Sequence, residues 1–221
     1  MTYNDRVQNF ERLARTFIKR KGLEDLLQYL HDSDFFFAPC STKYHLNREG
    51  GLAEHSINVC NALFTEVACH NVTGYTDETI AIVSLFHDLC KIGCYKIETA
   101  WRKDANGQWE LYNRYVYDED YPFGHGEKTA IILQRWLDCT PLELQAVNAH
   151  MGFSDSRGAQ LIGNIFNKNK LALLLHFADM TATYLMERDG DAWPNLGVQI
   201  QSSYWLRGSN PKLRCLWLES V

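Results

Sequence analysis

The stretch Ile80 to Asp88, IAIVSLFHD, constrains this chain more than any other part of it. An apolar run, IAIVSLF, stops abruptly at His87 and Asp88. A helix that is apolar on all sides belongs inside a protein, packed by other helices. Histidine and aspartate carry polar atoms that must be satisfied wherever they are buried. Adjacent residues on a helix point about 100 degrees apart. Two such side chains can therefore meet one ion only where the helix end curls around it. The dipeptide alone reads more simply as a helix-end aspartate beside a core histidine. The rest of the chain changes that balance.

The same residue types recur in similar settings. His55 follows a glycine pair in GGLAEHSINV, His125 opens a helix in FGHGEK, and His150 stands near a helix end in AVNAHMG. Asp179 lies within the apolar run LLLHFADMTATYL. A buried unpaired carboxylate is costly, so Asp179 needs a cation or hydrogen-bond donors. A divalent metal would serve. Imidazole and carboxylate donors together suit iron, manganese, nickel or zinc.

Hydrophobic periodicity predicts helices over most of the chain. Asn4 to Lys19 carries a stripe at Phe10, Leu13, Phe17 and Ile18, and Leu23 to Leu30 continues after Gly22. Asp32 to Gly51 reads as irregular, with Pro39 and Gly50-Gly51 as breakers. Further helices are expected at about Leu52 to Ala68, Thr76 to Cys90, Gly126 to Leu137 and Asn169 to Arg188. Thr140-Pro141-Leu142-Glu143 is a strong helix start, with threonine as N-cap, proline first and glutamate closing a capping box. Tyr95 to Tyr117 differs. It is aromatic and β-branched around Asn106-Gly107, a strong hairpin signal. Pairing Ala105 with Gln108 would set Lys103 opposite Glu110 and Trp101 opposite Tyr112. The tail, with Pro194, Pro211 and three tryptophans, shows no clear pattern. The expected architecture is all-α with a small β-hairpin insertion at about 95–117, in a single domain spanning 1–221.

Composition narrows the function. The formal charge is −5 over 221 residues, which argues against a broad basic surface for duplex DNA. No stretch has the apolar length of a membrane span, and the N-terminus lacks a signal-peptide core, so a cytoplasmic protein is expected. The seven cysteines, Cys40, Cys60, Cys69, Cys90, Cys94, Cys139 and Cys215, are odd in number and scattered. They read as free thiols rather than a disulfide framework or a zinc cluster.

The blocks APCSTKYHLNREGGLAEHSINV, SLFHDLCKIG, FGHGEK, HMGF and LLLHFADMTATYL occur in that order. Together they resemble the HD-domain superfamily of metal-dependent phosphohydrolases, in particular the catalytic domain of bacterial 3′-to-5′ exoribonuclease-like proteins. The similarity runs over about Pro39 to Leu185, and the expected HD core over about 39–188. The resemblance implies a helical bundle binding one or two divalent ions, Mn, Fe, Ni, Mg or Zn. It places His55, His87, Asp88 and Asp179 on the first ion, and His125 and His150 where two-metal members carry further histidines. Asp88 would then bridge. Lys91 matches the pattern HD-x-x-K and would face the phosphate. One departure is His150-Met151-Gly152, where the exoribonuclease-like proteins often carry His-His-Gly. The chain also shows no OB-type nucleic-acid-binding domain, which argues against processive exonuclease action.

The function so implied is hydrolysis of a phosphoester or phosphoanhydride in a nucleotide or short oligonucleotide by metal-activated hydroxide. Asp88, Lys91 and His125 are the expected catalytic residues, with His125 as a proton donor if only one ion binds. Lys91, Arg114 and Tyr115 are the expected substrate contacts. The hairpin aromatics form either a lid or, as the slightly favoured reading, an ordinary packing surface on the helices. His45 reads equally as a rim residue or a loop histidine, and Glu54 equally as a base or a solvated carboxylate. His176 reads as a core histidine, and His31 and His70 as surface residues. Two alternatives stand: a non-catalytic nucleotide-binding regulatory HD module, and a di-iron oxygenase of HD type, against which Lys91 argues. The oligomeric state is not legible.

Overall fold

The computed structural model describes residues 2–187. The tail with Pro194, Pro211 and its tryptophans, the thiol of Cys215 and the expected helix end at Arg188 lie outside the described residues.

Two helices open the chain. α1 (Tyr3–Phe17) carries a full capping box, Thr2 on the Asp5 amide and Asp5 on the Thr2 amide, and buries Phe10 and Ala14. α2 (Leu23–Asp32) buries Leu23, Leu26, Leu27 and Leu30 at helical spacing. The irregular segment that follows closes on itself, with Cys40 N–H donating to Leu46 O (3.2 Å) and Leu52 N–H to Ala38 O (3.0 Å). Gly50 and Gly51 permit this closure. Gly50 has φ +72°, and a Cβ on Gly51 would lie 2.1 Å from the Leu46 carbonyl oxygen. α3 (Gly51–Cys69) starts from that closure and buries eleven of its residues.

α4 (Asp77–Leu85) is shorter than the periodicity predicts. The expected helix to Cys90 ends at Leu85, Phe86 and Asp88 leave helical geometry, and a 3₁₀ turn spans Leu89–Lys91. The apolar pattern continues through Phe86 and Leu89, both buried, so it could not reveal the break. The hairpin follows as β1 (Tyr95–Lys103) and β2 (Trp109–Tyr117), antiparallel. Its register is one residue from the expected one: Lys103 pairs with Trp109, Arg102 with Glu110 and Trp101 with Leu111. The cause is Asp104, whose Oδ1 accepts from Asn106 N–H (2.9 Å) and Gln108 N–H (2.7 Å). This aspartate-capped turn holds three residues, with Gly107 alone at positive φ, in place of a two-residue Asn-Gly turn. Trp101 and Trp109 are exposed, which overturns the reading that they pack on the helices.

α5 (His125–Trp136) and α6 (Pro141–Ala149) follow, α6 with the expected capping box on Thr140 and Glu143. α7 (Ala159–Lys168) is not anticipated by the sequence reading, although Ile162, Ile165 and Phe166 share one buried face. α8 (Lys170–Thr181) passes into a π-helical turn, Ala182–Met186, so the expected long helix changes pitch after Thr181. The architecture is thus mostly helical with one small hairpin. α3 packs against α4 and α8, and α6 lies between α5 and α8. One apolar cluster joins all of these helices. None of the described helices is long and apolar enough to cross a membrane.

Candidate metal centre

The break after Leu85 is what builds the site. Because the backbone leaves the helix there, His87 and Asp88 no longer diverge, and Asp88 Oδ2 lies 3.4 Å from His87 Nε2. His55 projects from α3 with its Nε2 at 3.2 Å from His87 Nε2, 3.2 Å from Asp179 Oδ1 of α8 and 3.6 Å from Asp88 Oδ2. On the other side, Asp88 Oδ1 is 2.8 Å from His125 Nε2, at the first position of α5, and 3.6 Å from His150 Nε2, the C-cap of α6. All six side chains expected as metal ligands come together, from five separate elements. His55, His87, Asp88 and His150 are buried, whereas His125 keeps 30% of its side-chain surface and marks the open side.

The ring orientations are fixed from behind. His87 Nδ1–H donates to Ser84 O (2.8 Å) and His150 Nδ1–H to Val147 O (2.6 Å). A carbonyl only accepts, so in both rings the proton sits on Nδ1, and a neutral ring turns its Nε2 lone pair into the cluster. His55 Nδ1 meets the buried Glu187 carboxylate at 3.0 Å in the same way, and Asn58 donates to that carboxylate (2.8 Å). His176 Nδ1–H donates to the His150 carbonyl (2.8 Å) and so supports the C-cap.

These donors fit a divalent cation. His150 Nε2 is buried without any hydrogen-bond partner, and two imidazole nitrogens stand 3.2 Å apart. Donor atoms sharing one ion at about 2.1 Å lie about 3.0 to 3.4 Å from each other. The spacings of His55 from His87, Asp179 and Asp88, and of His87 from Asp88, are 3.2 to 3.6 Å, at or slightly above that range. Buried groups of His, Asp and Cys here can hold a metal ion.

The electrostatics are those of a strongly coupled cluster. Burial pushes the Asp88 carboxyl up, but Lys91, His87, the hydrogen bond from His125 and the neighbouring His150 ring outweigh it and hold it well below the usual range. Burial would likewise deprotonate Lys91, yet Asp88 at 2.7 Å keeps it an ammonium. Burial lowers His55, whereas Cys40, Asp179 and Glu187 raise it further and leave it well above the ordinary histidine value. Desolvation dominates at His125 and lowers it.

Arg114 and Tyr115 lie on β2 of the hairpin. Arg114 is exposed and pairs with Glu98 across the ribbon at 3.5 Å, and Tyr115 is half-buried opposite Ile97. Among the described residues, no hydrogen bond or ion pair joins either to the cluster. His45 stands behind the site, its ring centroid 5.0 Å from that of His55. Glu54 pairs with Arg48 at 2.8 Å. His31 pairs with Glu11 and His70 with Glu66 near the surface. Sequence reasoning missed Glu187, which lies eight residues after Asp179 and so falls near the same helix face. It also missed Cys40, whose Sγ is 3.5 Å from Lys91 Nζ. Cys40, Cys60, Cys90, Cys94 and Cys139 are buried free thiols, as expected. The chain matches no protein-family model, no curated protein and no solved structure.

Proposed function

We propose that this chain is a metal-dependent phosphohydrolase, acting on a phosphoester or phosphoanhydride bond of a nucleotide or short oligonucleotide. The observation that carries the reading is Asp88. Its two oxygens serve different histidine pairs, Oδ2 facing His55 and His87 and Oδ1 facing His125 and His150, while Lys91 Nζ stands 2.7 Å from Oδ2. A carboxylate divided in this way suits a pair of cations, and a fixed ammonium beside it suits an anionic substrate. The resemblance to HD proteins points the same way.

His55, His87, Asp88 and Asp179 would hold one ion, and Asp88, His125 and His150 a second. A bound divalent ion supplies Lewis acidity and brings the pKa of bound water near neutrality. The protein supplies the rest. Lys91 contributes a permanent positive charge where a phosphate oxygen would sit. His125, partly exposed and held largely neutral by burial, is the ring best placed to pass a proton at the open side. The buried rings of His87 and His150 are oriented by backbone carbonyls and need no rearrangement when substrate binds.

A substrate panel tests this reading. Phosphomonoesters, nucleoside phosphates, cyclic dinucleotides and short oligonucleotides are incubated with the manganese-loaded protein, with and without oxygen. Oxygen-independent phosphate or nucleotide release, reduced at least about 100-fold in Lys91→Ala, is expected. Oxygen-dependent turnover would instead indicate oxidation, and no turnover of any member would favour a binding module.

A further inference from the structure

Behind the Asp88 centre stands a second group of donors with a different chemistry. Cys40 Sγ lies 3.1 Å from His45 Nε2, and one ligand atom from each of Cys40, His45 and His55 lies within 4.8 Å of the others. Glu187 borders the group, 3.9 Å from His45 Nε2 and 3.0 Å from His55 Nδ1. Cys40 is 1% exposed and His55 1%, and His45 Nδ1 is buried with no hydrogen-bond partner.

The positions are built rather than accidental. Cys40 and His45 sit on the same closed loop, held by Cys40 N–H on Leu46 O and by Ser41 Oγ–H on His45 O (2.9 Å). Tyr95 O–H donates to the Cys40 carbonyl (3.0 Å) and pins the loop to the hairpin. The sulfur faces two imidazoles and lies 3.5 Å from Lys91 Nζ. A thiolate with two imidazoles and a nearby carboxylate selects softer ions than the nitrogen and oxygen donors around Asp88.

We propose that Cys40, His45 and His55, with Glu187 at the border, form a separate binding position for a thiophilic divalent ion such as zinc or cobalt. His55 belongs to both donor groups, so a soft ion held by Cys40 competes for a ligand of the Asp88 centre. The position would let zinc oppose loading of a harder ion such as manganese.

Cobalt(II) added to the 221-residue chain tests this directly, because only a thiolate ligand gives the near-ultraviolet sulfur-to-cobalt charge-transfer band. Cys90 is the competing thiol, with its Sγ 3.3 Å from His125 Nδ1. The band is expected in wild type and in Cys90→Ser, and is expected to be lost in Cys40→Ser and Cys40→Ala. His45→Gln should weaken the cobalt affinity read from the band at least tenfold, which keeps the test open if the Cys40 variants fold poorly by circular dichroism. Absence of the band in wild type, its survival in folded Cys40 variants, or its loss in Cys90→Ser would overturn the proposal. Cobalt held by nitrogen and oxygen donors around Asp88 gives no such band, so the outcome is independent of whether the chain hydrolyses phosphate.

Discussion

Asp88 and the histidines around it are held in place by groups outside the cluster. Glu187 meets His55 Nδ1 at 3.0 Å from 132 residues away, a contact that no local pattern encodes. Its substitution by glutamine keeps the shape and removes the charge. Manganese affinity, read by competition with a chelating dye, is expected to fall about 10- to 100-fold with the fold retained. An unchanged affinity would remove Glu187 from the account. Gly152 supports the other side. It has φ +61°, and a Cβ there would lie 2.4 Å from the His176 ring, which holds the His150 carbonyl. Gly152→Ala should therefore lower stability in urea by about 1 to 3 kcal/mol. The six side chains that meet here were picked out as histidine and aspartate beside glycines or within apolar helices, and their grouping as ligands came from the HD resemblance. Glu187 and Cys40 were not, since their meaning comes only from tertiary contacts.

Element ends matter more here than element interiors. The helices of this chain announce themselves by periodicity and caps, but the stop of α4 at Leu85 and the π turn after Thr181 do not, because the same apolar residues continue through both. The hairpin register was set by the Asp104 side chain rather than by Asn-Gly. α6 shows how an end is tied to the rest of the molecule. Glu143 closes the cap on Thr140 and also accepts from Arg20 (2.7 Å) and Thr79 (2.8 Å) while fully buried. Burial alone would raise its pKa, but Arg20, the Thr140 amide and Thr79 hold it below the ordinary glutamate value. A lowered folded pKa gives stability that is present above the unfolded value and is lost as pH falls through the folded one. Glu143→Gln should therefore cost about 2 to 3 kcal/mol at neutral pH. The gap to wild type in urea midpoints should shrink below about pH 4. A gap independent of pH would show that the charge of Glu143 contributes nothing.

At the scale of the whole molecule, α3, α5, α6, α8 and the turn after α4 each bring part of one polar cluster into an apolar interior. Assembling four histidines and two carboxylates there is costly unless a cation compensates. We therefore propose that these buried donors hold metal. The most direct test is the metal content of the 221-residue chain, purified without chelator and then supplied with manganese or iron, beside Asp88→Asn. Close to two equivalents in wild type, lost in the folded variant, is the expected result, and close to one would confine binding to His55, His87, Asp88 and Asp179. A wild-type protein that binds neither ion, or a folded Asp88→Asn protein that binds as much as wild type, would contradict the account.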